Sequence, residues 1–361
     1  MVTALIFMLI LTTAVTIHEL AHYFNAKSVG LEVDSFSVGM GPVLLRKKWR
    51  GTEWRLSALP LGGYVMIPGM TGEQGEDGEF RHATTGFATK PLWAKLWVLV
   101  GGVVANFILA ILLLATVLSA EPMMRLQISD LDVQMTAAAQ TVQPGSEAER
   151  LGLEAGDLIT RVNGIENPDT QELIDEVQTA QGLELTILRG DETLQFSTDW
   201  PPENVEVPLL GIGIGDAPLE PVPSINFFQA INEASSFLIN IIPETIEGFG
   251  RGIGDAVAGQ QSENVAGPVQ IVNITNQARQ AGIIPVLFIA AMINFSLAVF
   301  NLLPIPGLDG GRMVLSTLIA IRGKPFKPGQ EEFINFLGVA AVIMIMVLIT
   351  FNEVRGLLFP G

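Results

Sequence analysis

The chain has no cysteine among its 361 residues. That excludes a disulfide framework and any thiolate metal site, so a metal could be held only by His, Asp or Glu. Histidine is nearly as scarce, with His18, His22 and His82 the full set. Basic residues are also few. Twenty Lys and Arg stand against 37 Asp and Glu, a formal charge of −17, which argues against a nucleic-acid partner. No Lys or Arg precedes Lys27. The first apolar run therefore lacks the basic segment of a signal peptide, and it leads into HELAH rather than a small-residue cleavage site. It reads as a retained span.

Apolar residues make up 49% of the chain and mean hydropathy is +0.43, too apolar for an ordinary soluble enzyme and too polar for membrane throughout. Four runs approach the ~20 residues that a spanning helix needs: 1–24, 96–118, 284–302 and 333–352. Of the three intervening segments, 25–95 carries nine basic residues and the short 303–332 carries four, whereas the long 119–283 carries six and most of the acids. The positive-inside rule then places 25–95 and 303–332 in the cytoplasm, with both termini and 119–283 outside.

His18, Glu19 and His22 form H-E-x-x-H. Positions i and i+4 share a helix face, so both imidazoles can bind one metal, with Glu19 beside it as a proton acceptor. Zinc suits two nitrogens and one oxygen and keeps a fourth position open. In a soluble chain such a short pattern is often accidental. Inside a span ionisable residues are expensive and mark function. His18 lies ~20 Å along the helix from its outer end, at about 1.5 Å per residue, toward the cytoplasmic side.

The third ligand must come from the same depth. The third run ends in NLLPIPGLDGGR, Asn301 to Arg312, where prolines and glycine break the helix before Asp309. By parity the ends of spans one and three lie on the same side, and irregular backbone is tolerated there if protein or a cavity surrounds it. On its own, GLDGG reads as a turn capped by Asp. Paired with HELAH at matching depth, Asp309 reads as a ligand.

HELAH in the first span and NLLPIPGLDGG after the third resemble the site-2 protease family of intramembrane zinc metalloproteases, above all the bacterial branch that includes the regulator of sigma-E protease. FSVGMGP (Phe36–Pro42), PLGGYVMIPG (Pro60–Gly69), GGVVANFILA (Gly101–Ala110) and AGPVQI (Ala266–Ile271) extend the likeness over nearly the whole chain. The resemblance implies Zn2+ held by His18, His22 and Asp309, and Glu19 as general base and then acid. It implies a substrate- or oxyanion-positioning role for Asn301 and Asn106, and for Gly62 and Gly63 in the glycine pair. Asn106 reads equally as an interhelical hydrogen bond, and Asn301 as a helix-end one. Val103 stands where relatives often have proline, which bears on backbone shape rather than chemistry.

The implied fold is a polytopic α-helical membrane protein with four transmembrane helices, a membrane-associated β-hairpin around 52–65, and one extracytoplasmic PDZ-like α+β domain over 119–205. Residues 206–283 read as a proline-rich linker and an amphipathic surface helix. The acidic, glycine-rich stretch 70–80 reads as a cytoplasmic loop, and His82 as a surface residue. An exposed strand edge could hold an unwound substrate by main-chain hydrogen bonds. The expected substrates are transmembrane segments of pre-trimmed single-pass proteins, such as anti-sigma factors or remnant signal peptides, in a bacterial inner or plasma membrane and downstream of a site-1-type protease. Two other readings are a metal-binding scaffold or transporter and an inactive protease relative with an adaptor role. The spans offer little charge beyond Glu19 for an ion path, and Glu19 itself is intact.

Overall fold

In a computed structural model the described residues are 2–70, 73–74, 80–81, 83–129, 131–201, 209–260, 262 and 265–358. His82, most of the acidic loop at 70–80 and most of the proline-rich stretch after Trp200 lie outside them. The chain forms two compact units, Met1–Glu121 with Ile225–Gly361, and Pro122–Ser224.

The first unit begins with α1 (Val2–Ser28), β1 (Ser35–Trp49), β2 (Thr52–Met66), the two-residue strands β3 (Glu73–Gln74) and β4 (Phe80–Arg81), and α2 (Leu92–Ala120). The second unit holds α3 (Pro122–Ile128), β5 (Met135–Val142), α4 (Glu147–Leu151), β6 (Leu158–Val162), β7 (Ile165–Glu166), α5 (Thr170–Thr179), β8 (Leu183–Arg189), β9 (Glu192–Thr198) and β10 (Ile212–Pro218). The chain returns to the first unit through α6 (Phe227–Asn240), α7 (Ile242–Val257), α8 (Pro268–Ala281), α9 (Ile283–Leu302), α10 (Asp309–Arg322) and α11 (Gln330–Leu358).

Four helices, α1, α2, α9 and α11, are long and apolar enough to cross a membrane. Three run several residues past the apolar stretches. Hydropathy marks the lipid-facing core of a helix, while the backbone ladder continues through flanking residues such as Asn25 and Lys27. α2 is the central helix and packs against α1, α6, α9 and α10. Small residues allow this close approach: a Cβ on Gly101 would stand 2.5 Å from Asn25 Nδ2, whose amide donates to the Trp97 carbonyl at 2.7 Å.

The hairpin joins β1 to β2 through Arg50 (φ 51) and Gly51 (φ 82), the positive φ pair of a type I′ turn. Residues 35–38 are flanked on two sides. Phe36 registers with Trp54 and also with Val65, and Val38 with Leu56 and with Gly63. Residues 63–66 therefore keep one edge without a strand partner among the described residues. β2 runs alongside α1: the Thr12 hydroxyl donates to the Pro60 carbonyl, and the Val65 N–H donates to Glu19.

The second unit is a sheet in the order β10-β5-β6-β8-β9, with β7 on β6. Its core gathers Ile159, Leu173, Leu185, Ile187 and Trp200. Asp169 and Glu172 form a capping box on α5. At the buried Asp157, the Arg189 guanidinium donates at 2.7 and 2.8 Å.

The structure corrects three boundaries. The domain expected to end at 205 continues to β10, which pairs with β5 from Ile212↔Val142 to Pro218↔Met135. Three alternating glycines and a terminal proline in GIGIGDAP weaken the strand signal. The single surface helix expected within 206–283 is three helices. α6 and α7 are separated at Ile241, just ahead of Pro243 at the start of α7, and α6 buries Ala230, Ala234 and Leu238 while packing on α2. The loop expected over 303–332 contains a helix, α10 (Asp309–Arg322), and α11 begins at its end.

Candidate metal centre

α1 turns His18 and His22 toward α2, which meets them with a stripe at i, i+4, i+8: Val98, Gly102 and Asn106. Val98 offers its carbonyl to His22 Nδ1 at 2.8 Å. Gly102 leaves room for the other ring, since a Cβ there would lie 2.4–2.6 Å from three atoms of the His18 imidazole. Asn106 Nδ2 is 3.5 Å from His18 Nδ1.

Asp309 is carried to this place by the break after α9. Asp309 begins α10, and Gly310 and Gly311 pack directly on the broken segment: a Cβ on either would meet the Leu302 or Ile305 carbonyl at 2.1–2.3 Å. α11 braces the same loop from outside. Asn335 Oδ1 accepts from the Gly307 N–H at 3.1 Å, and Gly338 lies so close to the Pro306 carbonyl that a Cβ would stand 1.9 Å from it. A glycine suits position 307 because its φ is +89.

Three donor atoms converge. His18 Nε2 and His22 Nε2 lie 3.1 Å apart, and Asp309 Oδ2 is 3.0 Å from the first and 3.2 Å from the second. Both histidines are buried. The residues fit a cation. A carbonyl can only accept, so His22 Nδ1 carries the proton and its Nε2 presents a lone pair. Asp309 Oδ2 is itself buried and finds no hydrogen-bond donor. Acceptors directed at one another in a buried site need a positive charge between them. Tetrahedral zinc with ligands at about 2.0–2.1 Å separates them by roughly 3.3 Å, close to the edges observed. Among the described residues, these three are the group placed to hold a metal ion.

Glu19 sits one residue from His18, half-buried, and its Oε2 accepts from Val65 N–H at 2.9 Å. The structure thus brings together His18, Glu19, His22, Asp309 and Asn106. Asn301 ends α9 half-buried and makes no hydrogen bond to any of them among the described residues. Gly63 lies against the Ser37 carbonyl, where a Cβ would be 2.6 Å away, and Gly62 has φ +92. They shape the strand two to three residues from Val65. Sequence reasoning missed Val65, Val98, Gly102, Asn335 and Gly338. Two act through the backbone, which no side-chain pattern marks. The others are small or neutral residues whose role exists only once helices pack.

The model of peptidase family M50 matches residues 6–345. The chain belongs to peptidase family M50. The M50 protein is 28% identical to the zinc metalloprotease RasP of Shouchella clausii, over 98% of this chain and 99% of that relative. It is 30% identical to two proteins provisionally named zinc metalloproteases. One is from Agrobacterium fabrum, over 98% of this chain and 95% of the relative; the other is from Nostoc sp., over 96% and 94%. The M50 protein is a zinc metalloprotease of the site-2 type, and zinc is its metal. The scaffold, transporter and inactive-relative readings give way to this one.

Proposed function

We propose that the M50 protein is an intramembrane endopeptidase that cuts transmembrane segments of pre-trimmed single-pass proteins, of the anti-sigma-factor or signal-peptide-remnant kind, after an upstream site-1-type protease. The observation that carries the reading is that β2 lies along a spanning helix with its open edge on the HExxH glutamate. Thr12 and Glu19, which hold Pro60 and Val65, are seven residues apart on α1, about 10 Å of helix. Both lie in the apolar run, so the hairpin reaches membrane depth. The end near Pro60 exposes Met40, Val43, Leu44, Leu45 and Leu59, side chains that suit lipid, while the basic residues Arg46, Lys47, Lys48 and Arg50 lie toward the turn at the other end.

His18, His22 and Asp309 would hold the zinc, which when bound supplies Lewis-acid polarisation of the scissile carbonyl and activation of water. The chain does the rest. A helix hides its peptide groups, so the substrate must be unwound, and the edge at 63–65 offers main-chain hydrogen bonds to an extended segment. Glu19 accepts a proton and passes it to the leaving amine. His22 keeps its proton on Nδ1 against Val98. The catalytic side faces the cytoplasm and the second unit lies outside, following the charge bias of the segments. We assign the second unit as PDZ-like, from its five-strand path and the helices α4 and α5, with a role in screening the trimmed ends of substrates.

Reconstitution in vesicles with a tagged single-pass substrate tests the reading, with mass spectrometry of the products. The cut is expected within the substrate's apolar span, and only after its ectodomain has been removed. Cuts confined to soluble or ectodomain sequence would overturn it.

A further inference from the structure

The two histidines are supported unequally. His22 has a strong carbonyl acceptor on its outer nitrogen. His18 has only Asn106, whose amide nitrogen stands 3.5 Å from Nδ1 and whose Oδ1 is buried with no hydrogen-bond partner. Asn106 is 1% exposed, inside a spanning helix, where an orphaned carbonyl oxygen is costly. As placed, the amide donates toward Nδ1. That arrangement requires the proton on His18 Nε2, the nitrogen that points at Asp309 and His22.

A half-turn of the amide about Cβ–Cγ swaps oxygen and nitrogen without moving any other heavy atom. Oδ1 then faces Nδ1. His18 carries its proton there, the orphaned oxygen gains a donor, and Nε2 presents its lone pair to the shared point. The separation exceeds a normal bond by about half an ångström, and the soft χ2 of asparagine can close it.

We propose that Asn106 is a positioning residue for His18: its amide oxygen accepts the Nδ1–H and so fixes the ring and tautomer in which Nε2 binds zinc, as the Val98 carbonyl does for His22. α2 thereby orients both imidazoles, one from its backbone and one from a side chain two turns further on. The assignment rests on His18, His22 and Asp309 as the ligand set. It places Asn106 behind the ligand, away from the substrate. Partners of ligating histidines typically contribute 10- to 100-fold in metal affinity.

The test is zinc affinity of the full-length protein in detergent, by competition with a chelator, for the wild type, Asn106→Leu and Asn106→Asp. Asn106→Leu should bind zinc about 10- to 100-fold more weakly, and the loss of cleavage should be recovered in part by added zinc. Asn106→Asp, which keeps an acceptor, should stay within a few-fold of the wild type. A merely structural interhelical contact does not produce that split. Unchanged affinity in Asn106→Leu with cleavage lost would overturn the proposal in favour of a substrate-side role, as would equal loss in both variants. Should a variant not fold, histidine 15N spectra of the zinc-loaded wild type decide. They are expected to show a proton on His18 Nδ1 hydrogen-bonded to Asn106, and a deprotonated or unbonded Nδ1 overturns the proposal. A wild type that binds no zinc at all would defeat the ligand set itself, a distinct result.

Discussion

The Val65 amide donates to Glu19 Oε2 across 46 residues of sequence, at 2.9 Å. This bond joins the edge of the hairpin to the glutamate of the metal motif. It fixes the carboxylate beside His18 and sets the level at which an extended segment would meet it. Val65→Pro removes this donor. Proline is tolerated on a strand edge whose N–H faces away from the ladder. We expect zinc to be retained and cleavage to fall about 10- to 100-fold, the worth of one hydrogen bond to a charged group. Metal analysis beside a cleavage assay checks it, and loss of zinc together with activity would show that Val65 supports the fold instead.

Gly102→Ala puts a Cβ 2.4 Å from the His18 ring, with a helix on each side and nowhere to shift cheaply. Zinc binding and cleavage should fall together, by at least about tenfold. Gly254→Ala on α7 is the control. A Cβ there meets nothing within 4 Å, and replacing a helical glycine should leave both properties intact or add up to about 1 kcal/mol of stability. Equal effects of the two substitutions would refute the role given to Gly102.

Asp309 is held in place from α11. Asn335→Ala withdraws the acceptor for Gly307 N–H, a loss of about 1 kcal/mol, and should weaken zinc binding modestly. Gly338→Val drives a side chain into the Pro306 carbonyl and should abolish it. Zinc titration of both variants, with thermal unfolding followed in parallel, orders the two effects.

In the second unit Asp157 is buried. Burial pushes its carboxyl up, but hydrogen bonds from Arg189 and from the Glu154 N–H outweigh this and hold it below the usual carboxylate range. A depressed folded value means stabilisation present above the unfolded pKa of about 3.9 and lost as pH falls through the folded value. Hydrogen-exchange protection factors at β6 and β8, which divide out the intrinsic pH dependence of exchange, should therefore hold from neutrality to about pH 4 and fall below it. Arg189→Leu should cost about 2–3 kcal/mol at neutral pH and should shrink or reverse the loss of protection below about pH 4, because burial without the guanidinium raises the folded pKa of Asp157. A flat profile in both proteins would contradict the pairing.

How much of this was legible in the sequence follows from what each feature depends on. Spans announce themselves because lipid demands ~20 apolar residues. His18 and His22 are legible because their spacing is local to one helix. Asp309 is legible because prolines and glycines mark the break that delivers it. The strand 212–218 was not, since alternating glycine reads as linker and its pairing with β5 is seventy residues away. α10 was hidden behind the same glycines that let Asp309 approach. The bonds from Val98 and Val65 come from peptide groups, which every residue carries, so no side chain could disclose them.

The most direct measurement compares wild type and Glu19→Gln for bound zinc and for cleavage of a trimmed single-pass substrate in vesicles. In the proposed site His18, His22 and Asp309 would supply the ligand atoms, while Glu19 would handle protons. The account therefore predicts equal zinc in both proteins and cleavage reduced at least about 100-fold in the variant. Cleavage surviving in Glu19→Gln, or zinc lost with it, would contradict the account.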